Sequence, residues 1–446
     1  MTNSFYLTSN QIRTLLVESA KLGGKKNIDR PEYLNWVKKQ SENSFIKVLV
    51  GFRRVGKSTV LKQFYKYLME EQNFPENNIF FVNFESDILL RLKDATNLRK
   101  LFDQYKAQVA GEGKLFIFLD EIQNVKGWEK FVRTLYETDS QRYNIYITGS
   151  NSSLLSSEFS SALSGRSVEK MVHPFSFKEY LVYKDMPIEG EMWYQKNKEL
   201  VDRNLNAYLK FGGLPESVDL DQETNAEYIK SVFNKVLMDD IIKRFRVKNP
   251  ALLEDVFKYA ISNVNHPLNM HAVVKEVNLG LTSVTVPTIK KYLAMYQKSN
   301  AVSSVYKFDW KTKRIFNKLS KYYAVDNGLI STFAVGTKEL DAMLLENLVY
   351  NQLARQETKI YYGRDEKGKE IDFVVLKPNS ECKKYQVCWQ LDEKNLKREL
   401  GNFDLVNKYL PDGENILVTM GGEESVEQVG DTKVRVLPLV KFLLGD

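Results

Sequence analysis

Cysteine and histidine are nearly missing from these 446 residues: two cysteines, Cys382 and Cys388, and three histidines. Six positions apart and near the end, the cysteines make no disulfide framework. With so few histidines they make no zinc site either. A chain this poor in cysteine suits a reducing compartment, and a cytoplasmic location is expected. Long apolar runs are absent too, and none approaches the ~18 residues that a membrane-spanning helix requires. The opening residues, MTNSFYLTSNQIRTLL, lack the basic and apolar regions of a secretory signal. With 43% apolar and 27% charged residues the chain is not globally disordered. Its length suggests about three domains of ~150 residues.

The net charge of +7 is small, but it is concentrated. From Val286 to Tyr323 there are nine lysines and arginines (290, 291, 298, 307, 311, 313, 314, 318 and 321) against one acid, Asp309. That window alone carries more than the whole chain's excess, as expected of a surface for an anionic partner.

No internal repeat and no long linker appears. The first ~180 residues alternate apolar runs with amphipathic stretches. Strands are expected at 45–50 (FIKVLV), 78–84 (NIFFVNF), 114–119 (KLFIFL) and 143–148 (YNIYIT), with helices over 58–72 and 127–137. Such alternation argues for a parallel sheet covered by helices. Residues from ~186 to 300 read as mostly helical. A hairpin is expected over 302–308 and 314–325, then a helix from 340 and strands at 359–362, 370–376, 384–389 and 415–418.

Residues 51–58, GFRRVGKS, match G-x-x-x-x-G-K-[ST] between an expected strand and an expected helix, the context the motif requires. Gly51 and Gly56 allow the tight turn, and backbone N–H groups of Phe52, Arg53, Arg54 and Val55 come round a phosphate. The helix dipole beginning near Ser58 and Thr59 adds to them. Lys57 reaches the β- and γ-phosphates, and Ser58 is a Mg²⁺ ligand. Whether Arg53 and Arg54 touch phosphate or pack on the loop stays open. A second element, LFIFLDE at 115–121, ends an apolar strand in two acids. Asp120 is expected to hold Mg²⁺ and Glu121 to orient or deprotonate the attacking water. NKVL at 234–237 lacks the aspartate of a guanine reader, which favours ATP over GTP. The next strand exits through TGSN. There Asn151 is the first candidate to sense the γ-phosphate and Ser150 the second, with plain turn chemistry as the other reading. Arg166 is either a finger that stabilises the phosphoryl transition state or a surface arginine.

GFRRVGKST, FIFLDEIQNVKGWEKFVRTL, YITGSNSSLLSSE, LSGR and HPFSFKEYL follow one another as in a large prokaryotic group of the AAA+ superfamily. These are the archaeal-type ATP-binding proteins with a C-terminal domain of unknown function. GGLPES, VLMDDIIKRF, TVPTIKKYL, YYAVDNGL, LLENLVYNQL and KEIDFVV are similar to that C-terminal half. The resemblance implies an ATPase sheet in the order 5-1-4-3-2.

The α/β fold class expected is therefore a P-loop NTPase sheet of AAA+ type over 1–185, a helical connector over 186–250, a winged-helix-like region over 251–335 and a nuclease-like α/β domain over 336–446. In the winged-helix reading, Lys290, Lys291 and Lys298 lie on a groove helix, and Lys311, Lys313 and Arg314 on a wing. Duplex DNA, protein packing, or RNA and other polyanions remain open as partners. The tail follows the order of a PD-(D/E)XK nuclease core, which resembles a cleaving domain without its chemistry. Glu346 and Asp372 are present, but the expected Glu-x-Lys reads Gln386-Val387-Cys388. No cleavage is expected, and Cys388 reads as a buried thiol. The function expected is Mg²⁺-dependent ATP hydrolysis that drives a conformational change on DNA, without a membrane; the oligomeric state stays open, a homo-oligomer being one option. The alternative is a slow nucleotide switch that controls a protein assembly.

Overall fold

The computed structural model describes residues 6–24, 26–86, 94–150, 163–190, 192–277, 284–310, 314–335, 339–356, 359–366, 368–376 and 382–445. It divides into two compact units, residues 1–172 and 173–446. Among the described residues no helix is long and apolar enough to cross a membrane.

The first unit contains helices α1 (Ser9–Ala20), α2 (Pro31–Gln40), α3 (Lys57–Glu70), α4 (Ala95–Gln108) and α5 (Trp128–Asp139). Its strands are β1 (Ile46–Val50), β2 (Ile79–Asn83), β3 (Leu115–Asp120), β4 (Tyr143–Gly149) and β5 (Ser167–Met171). All neighbours pair in parallel in the order β2-β3-β4-β1-β5, which is the order implied by the resemblance. Period-two alternation along β3 explains the layers. Phe116 and Phe118 meet Phe64 of α3, both with ring centroids 5.9 Å away. Leu115, Ile117 and Leu119 join the opposite core with Leu16 of α1, Leu101 of α4 and Phe131 of α5. Strand β5 was not legible, because SVEKM is a half-buried edge without an apolar run.

The second unit begins with α6 (Phe177–Tyr183), α7 (Trp193–Phe211) and α8 (Gln222–Lys235). A π-helical turn over Val236–Ile242 leads to α9 (Pro250–Ile261), α10 (Met270–Val277) and α11 (Val286–Lys298). Strands β6 (Val302–Asp309) and β7 (Arg314–Ala324) follow, then α12 (Asn327–Phe333) and α13 (Leu340–Ala354). The chain ends through β8 (Lys359–Arg364), β9 (Glu370–Leu376), β10 (Cys382–Cys388), α14 (Leu396–Gly401), α15 (Asp404–Asn407), β11 (Glu414–Thr419), β12 (Ser425–Val429), β13 (Thr432–Pro438) and α16 (Leu439–Leu444). Strands β6 to β13 form one mixed sheet in the order β12-β13-β11-β10-β9-β8-β6-β7.

That order corrects the expected wing. The β6–β7 hairpin does not stand free: Tyr306 and Lys307 pair in parallel with Tyr361 and Tyr362 of β8. Apolar burial is the physical reason. Val302, Val305, Tyr323 and Ala324 of the hairpin are buried, and Tyr323 stacks on Tyr350 of α13 with centroids 4.3 Å apart. A solvated wing would leave those groups in water. The sheet thus takes strands from both sides of residue 335.

A glycine turn and a buried carboxylate fasten this unit. The Asp326 carboxylate is fully buried and accepts from the N–H groups of Gly213 (2.7 Å) and Gly328 (2.8 Å). Burial pushes its pKa up to about 6 against those two hydrogen bonds. Gly212 has φ +80°, and a Cβ there would lie 1.8 Å from an Asp326 oxygen. Gly212→Ala should therefore lower the stability of this unit by about 3 kcal/mol or more, from left-handed strain plus overlap. Gly422→Ala (φ +101°, open space around the site) supplies the strain alone. Chemical denaturation followed by fluorescence checks this, and equal losses in the two variants would remove the overlap argument. The raised pKa of Asp326 sets a sign as well. Its folded-state protonation favours the fold below the ordinary carboxylate pKa, and that contribution is lost as pH rises from about 4 through about 6.

Candidate functional site

Strand β1 delivers the chain to Gly51, and α3 leaves from Lys57. Gly51 has φ +153°, and a Cβ there would lie 2.3 Å from the Val172 carbonyl oxygen, so the neck of the loop admits only glycine. Phe52 and Val55 are buried and pack the loop from beneath. Arg30 is buried behind it, with one guanidinium nitrogen donating to the Val55 carbonyl at 2.8 Å and its plane over the Tyr33 ring. Arg53 pairs with Glu85 at 3.3 Å. Arg54 is exposed with φ +66°, and Thr59 is half-buried in the first turn of α3.

Four sequence-expected groups converge at the C-terminal end of the sheet. Lys57 Nζ donates to the Gly51 and Phe52 carbonyls at 3.2 and 3.0 Å and lies 3.6 Å from Glu121 Oε1. Ser58 Oγ donates to Asp120 Oδ1 at 2.9 Å. Asp120 is fully buried, and its second oxygen, Oδ2, has no hydrogen-bond partner. Burial and the neighbouring Glu121 push Asp120 up to about 6, against hydrogen bonds from Thr148 and Ser58.

Thr148, at the end of β4, was missed. Its hydroxyl donates to Asp120 Oδ1 at 2.6 Å and accepts the Glu121 N–H at 2.9 Å, tying the two acids together. A hydroxyl closing the apolar run YNIYIT was the available signal. Glu121 has φ +53° and ψ +45°, a left-handed turn that swings its carboxylate back toward Lys57. Gln123 donates to the other Glu121 oxygen and also lies 3.4 Å from Ser150 Oγ. Ser150 is thereby connected to Glu121 through one amide. Asn151 lies outside the described residues.

Arg166 is not in this constellation. It directly precedes β5, whose first residue, Ser167, pairs with Ile46. The loop begins six positions beyond Phe45, at the other end of these strands, roughly 16–20 Å away. The Arg166 side chain pairs with Glu137 of α5 at 3.4 Å.

The basic window is also divided. Lys290, Lys291 and Lys298 are exposed on α11. Lys311 and Lys313 lie outside the described residues. Lys321 is withdrawn from the surface: fully buried, it lies among Glu346, Glu370 and Asp372. Burial alone would lower the pKa of this ammonium, but those carboxylates outweigh it and hold it above the ordinary lysine value. Asp372 is pushed well above its ordinary value by burial and by Glu346. Gln386 lies on β10 beside this cluster; Cys388, at the end of β10, is half-buried rather than the buried thiol expected, and its partial burial raises the thiol to about 11.

Residues 43–181 match the family model described as an AAA domain. A Haemophilus influenzae protein is 34% identical over 377 residues, 83% of this chain and 88% of that one. The chain belongs to the AAA+ P-loop ATPases. The two later regions of this AAA+ protein, residues 202–340 and 342–442, match domains of unknown function, DUF8612 and DUF4143. The Haemophilus relative is described as uncharacterized. So is one from Methanocaldococcus jannaschii, 29% identical over 89% of this chain and 87% of its own. Among solved structures, a Walker-type ATPase of Pyrococcus abyssi covers 71% of the AAA+ chain and 99% of its own at 16% identity and a TM-score of 0.43. The Aeropyrum pernix Orc1 protein, solved in complex with DNA, covers 72% and 94% at 14% identity and a TM-score of 0.31.

Proposed function

We propose that this AAA+ chain hydrolyses ATP with Mg²⁺ and uses the cycle to change conformation on duplex DNA. The observation that carries the hydrolytic part is the convergence of Lys57, Ser58, Asp120 and Glu121 at one end of the sheet. Backbone N–H groups of the loop bind the β-phosphate at the α3 N-terminus. Lys57 exchanges the Gly51 and Phe52 carbonyls and Glu121 for phosphate oxygens. Ser58 and the orphaned Asp120 Oδ2 suit a hard cation, and these two residues would hold Mg²⁺. Bound there, the ion would neutralise charge on the β- and γ-phosphates. Glu121 then takes the proton of the attacking water, with Gln123 and Thr148 fixing its position. Ser150 reports on that arrangement through Gln123.

The DNA part rests on the exposed lysines of α11. The alternative, a slow nucleotide switch that governs a protein assembly, gains from the withdrawal of Lys321 from the basic face. One experiment separates them. ATP turnover in Mg²⁺ is measured with and without duplex DNA, and binding is followed by anisotropy across a salt series. Stimulated turnover is expected, with a slope of log K against log salt of roughly −3 for three lysines at ~0.9 each. Lys290→Glu with Lys291→Glu should remove about two-thirds of that slope and leave ATP affinity alone. The DNA should emerge uncut, because Gln386 and Cys388 replace the acid and lysine of a cleaving strand. Absence of binding at low salt would establish the switch instead, and cutting that disappears in Asp372→Asn would overturn the non-cleaving reading.

A further inference from the structure

Helix α2 leaves from a segment that is tied to the phosphate loop. Its N-cap is Arg30, whose carbonyl accepts the N–H groups of Tyr33 (3.1 Å) and Leu34 (3.0 Å). Tyr33 and Val37 of α2 are buried, and the Tyr146 hydroxyl of β4 donates to the Val37 carbonyl at 3.2 Å. Two residues before the cap, the Ile28 carbonyl accepts from Gln63 Nε2 of α3 at 2.7 Å. Packing on both sides thus fixes where the Arg30 side chain starts. Arg30 is 1% exposed, with its guanidinium carbon 4.4 Å from the Tyr33 ring centroid. From that seat one guanidinium nitrogen donates to the Val55 carbonyl at 2.8 Å.

What this bond does to the loop follows from the planarity of the peptide. In a trans peptide the C=O and the N–H that follows it point in opposite directions. A Val55 carbonyl turned back on Arg30 therefore sends the Gly56 N–H away from the buried side, toward the open face of the loop. Gly56 permits the turn: its φ is +95°, and α3 springs from it. A Cβ on Gly56 would lie 3.7 Å from the same Arg30 nitrogen, so the guanidinium sits against both halves of this peptide. A charged donor on the carbonyl also polarises the peptide and makes its N–H a stronger donor.

We propose that Arg30 is a positioning residue for the β-phosphate: by holding the Val55 carbonyl it presets the Gly56 N–H as a phosphate donor. This rests on the phosphate-loop reading given above and adds to it a residue outside the motif. Its role differs from that of Lys57. The lysine leaves its carbonyl partners to reach phosphate, whereas Arg30 stays buried and touches no substrate. Without the guanidinium the peptide between Val55 and Gly56 has no such anchor, and nucleotide binding must supply the ordering that Arg30 provides in advance. A contact to the β-phosphate is common to ATP and ADP. It is made alike in the ground state and the transition state, so it sets affinity rather than rate.

The test compares the full chain as wild type, Arg30→Met and Arg30→Lys. Each is titrated calorimetrically with ADP and with a non-hydrolysable ATP analogue in Mg²⁺, and turnover is measured at saturating ATP. Arg30→Met keeps an apolar contact for Tyr33 but loses the donor. It should bind both nucleotides more weakly by the same factor, ~10-fold or more, the scale of a lost charged hydrogen bond. Its turnover at saturation should stay within about twofold of wild type, because only uniform binding is removed. Arg30→Lys keeps a charged donor on a chain one atom shorter and loses the planar stack, so it should recover part of the affinity, to a deficit of roughly threefold. A purely structural role would lower the melting temperature and leave the ADP affinity of the folded protein unchanged, and that result overturns the proposal. So does lost turnover with affinity intact, or a loss confined to the ATP analogue, which would place the effect at the γ-phosphate. If Arg30→Met does not fold, Arg30→Lys decides alone, and wild-type ADP affinity in it overturns the proposal. The ADP titration needs no hydrolysis. A wild type that binds neither nucleotide would overturn the phosphate-loop reading and this proposal with it, whereas wild-type binding with unaffected variants overturns the role of Arg30 alone.

Discussion

Glu121→Gln will bind ATP at least as tightly as wild type and turn it over ~10²–10⁴-fold more slowly, the scale of a lost general base. Tight binding follows from the geometry of the loop. Lys57 Nζ lies 3.6 Å from Glu121 Oε1, and that ion pair must open before the lysine reaches phosphate. An amide at position 121 weakens the pair without disturbing the loop. It also keeps the contact with Gln123, so the left-handed turn at position 121 has its anchor. Lys57→Ala gives the opposite pattern. The loop loses its flexible cation, and ATP affinity itself collapses. Titration with a fluorescent ATP analogue and single-turnover hydrolysis separate the two effects. Wild-type turnover in Glu121→Gln would remove Glu121 from the chemistry.

How far the site was legible follows from how local its parts are. GFRRVGKS and FLDE are contiguous, and each is placed by the strand that precedes it, so Lys57, Ser58, Asp120 and Glu121 could be named from spacing. Thr148 could not be chosen over Ser150 and Asn151 in the same way. Which hydroxyl reaches the acids depends on the β3–β4 register, where Leu119 pairs with Ile147. Arg30 was invisible for a related reason: its role is to hold a carbonyl 25 residues later, and nothing near it marks a function.

The second unit shows the same limit more strongly. Its helices and the β6–β7 hairpin were readable from periodicity, but not the docking of that hairpin on β8. Non-local pairing hid the fate of Lys321. In sequence it is the last charge of a basic run, and it meets Glu346, 25 residues away, only once the hairpin joins the sheet. Charge counting alone therefore overstated the basic face.

Arg166 cannot serve the phosphate loop of its own chain, and this turns its expected role into a sharp test. The Ile46 N–H donates to the Arg166 carbonyl at 2.8 Å, which pins this residue beside the start of β1 while the loop begins at the end of that strand. The intervening distance, roughly 16–20 Å, exceeds the reach of one side chain. Its contact with Glu137 is half-exposed, and Glu137 is shared with Arg133 at 2.8 Å, so exchanging Glu137 for a more strongly charged partner costs little. A phosphate on a second copy is such a partner. If Arg166 is a finger, it acts in that second copy. Arg166→Ala should then lower turnover ~10³-fold or more while leaving ATP binding intact. Turnover per chain should rise with protein concentration in wild type. Mixing gives the decisive reading. Lys57→Ala lacks a working loop but keeps its arginine, whereas Arg166→Ala keeps its loop and lacks the arginine. Each is inactive alone, and the mixture should recover activity wherever the first presents Arg166 to the second. A mixture as inactive as its components, with wild-type turnover per chain flat on dilution, would make Arg166 a surface residue that anchors the end of α5.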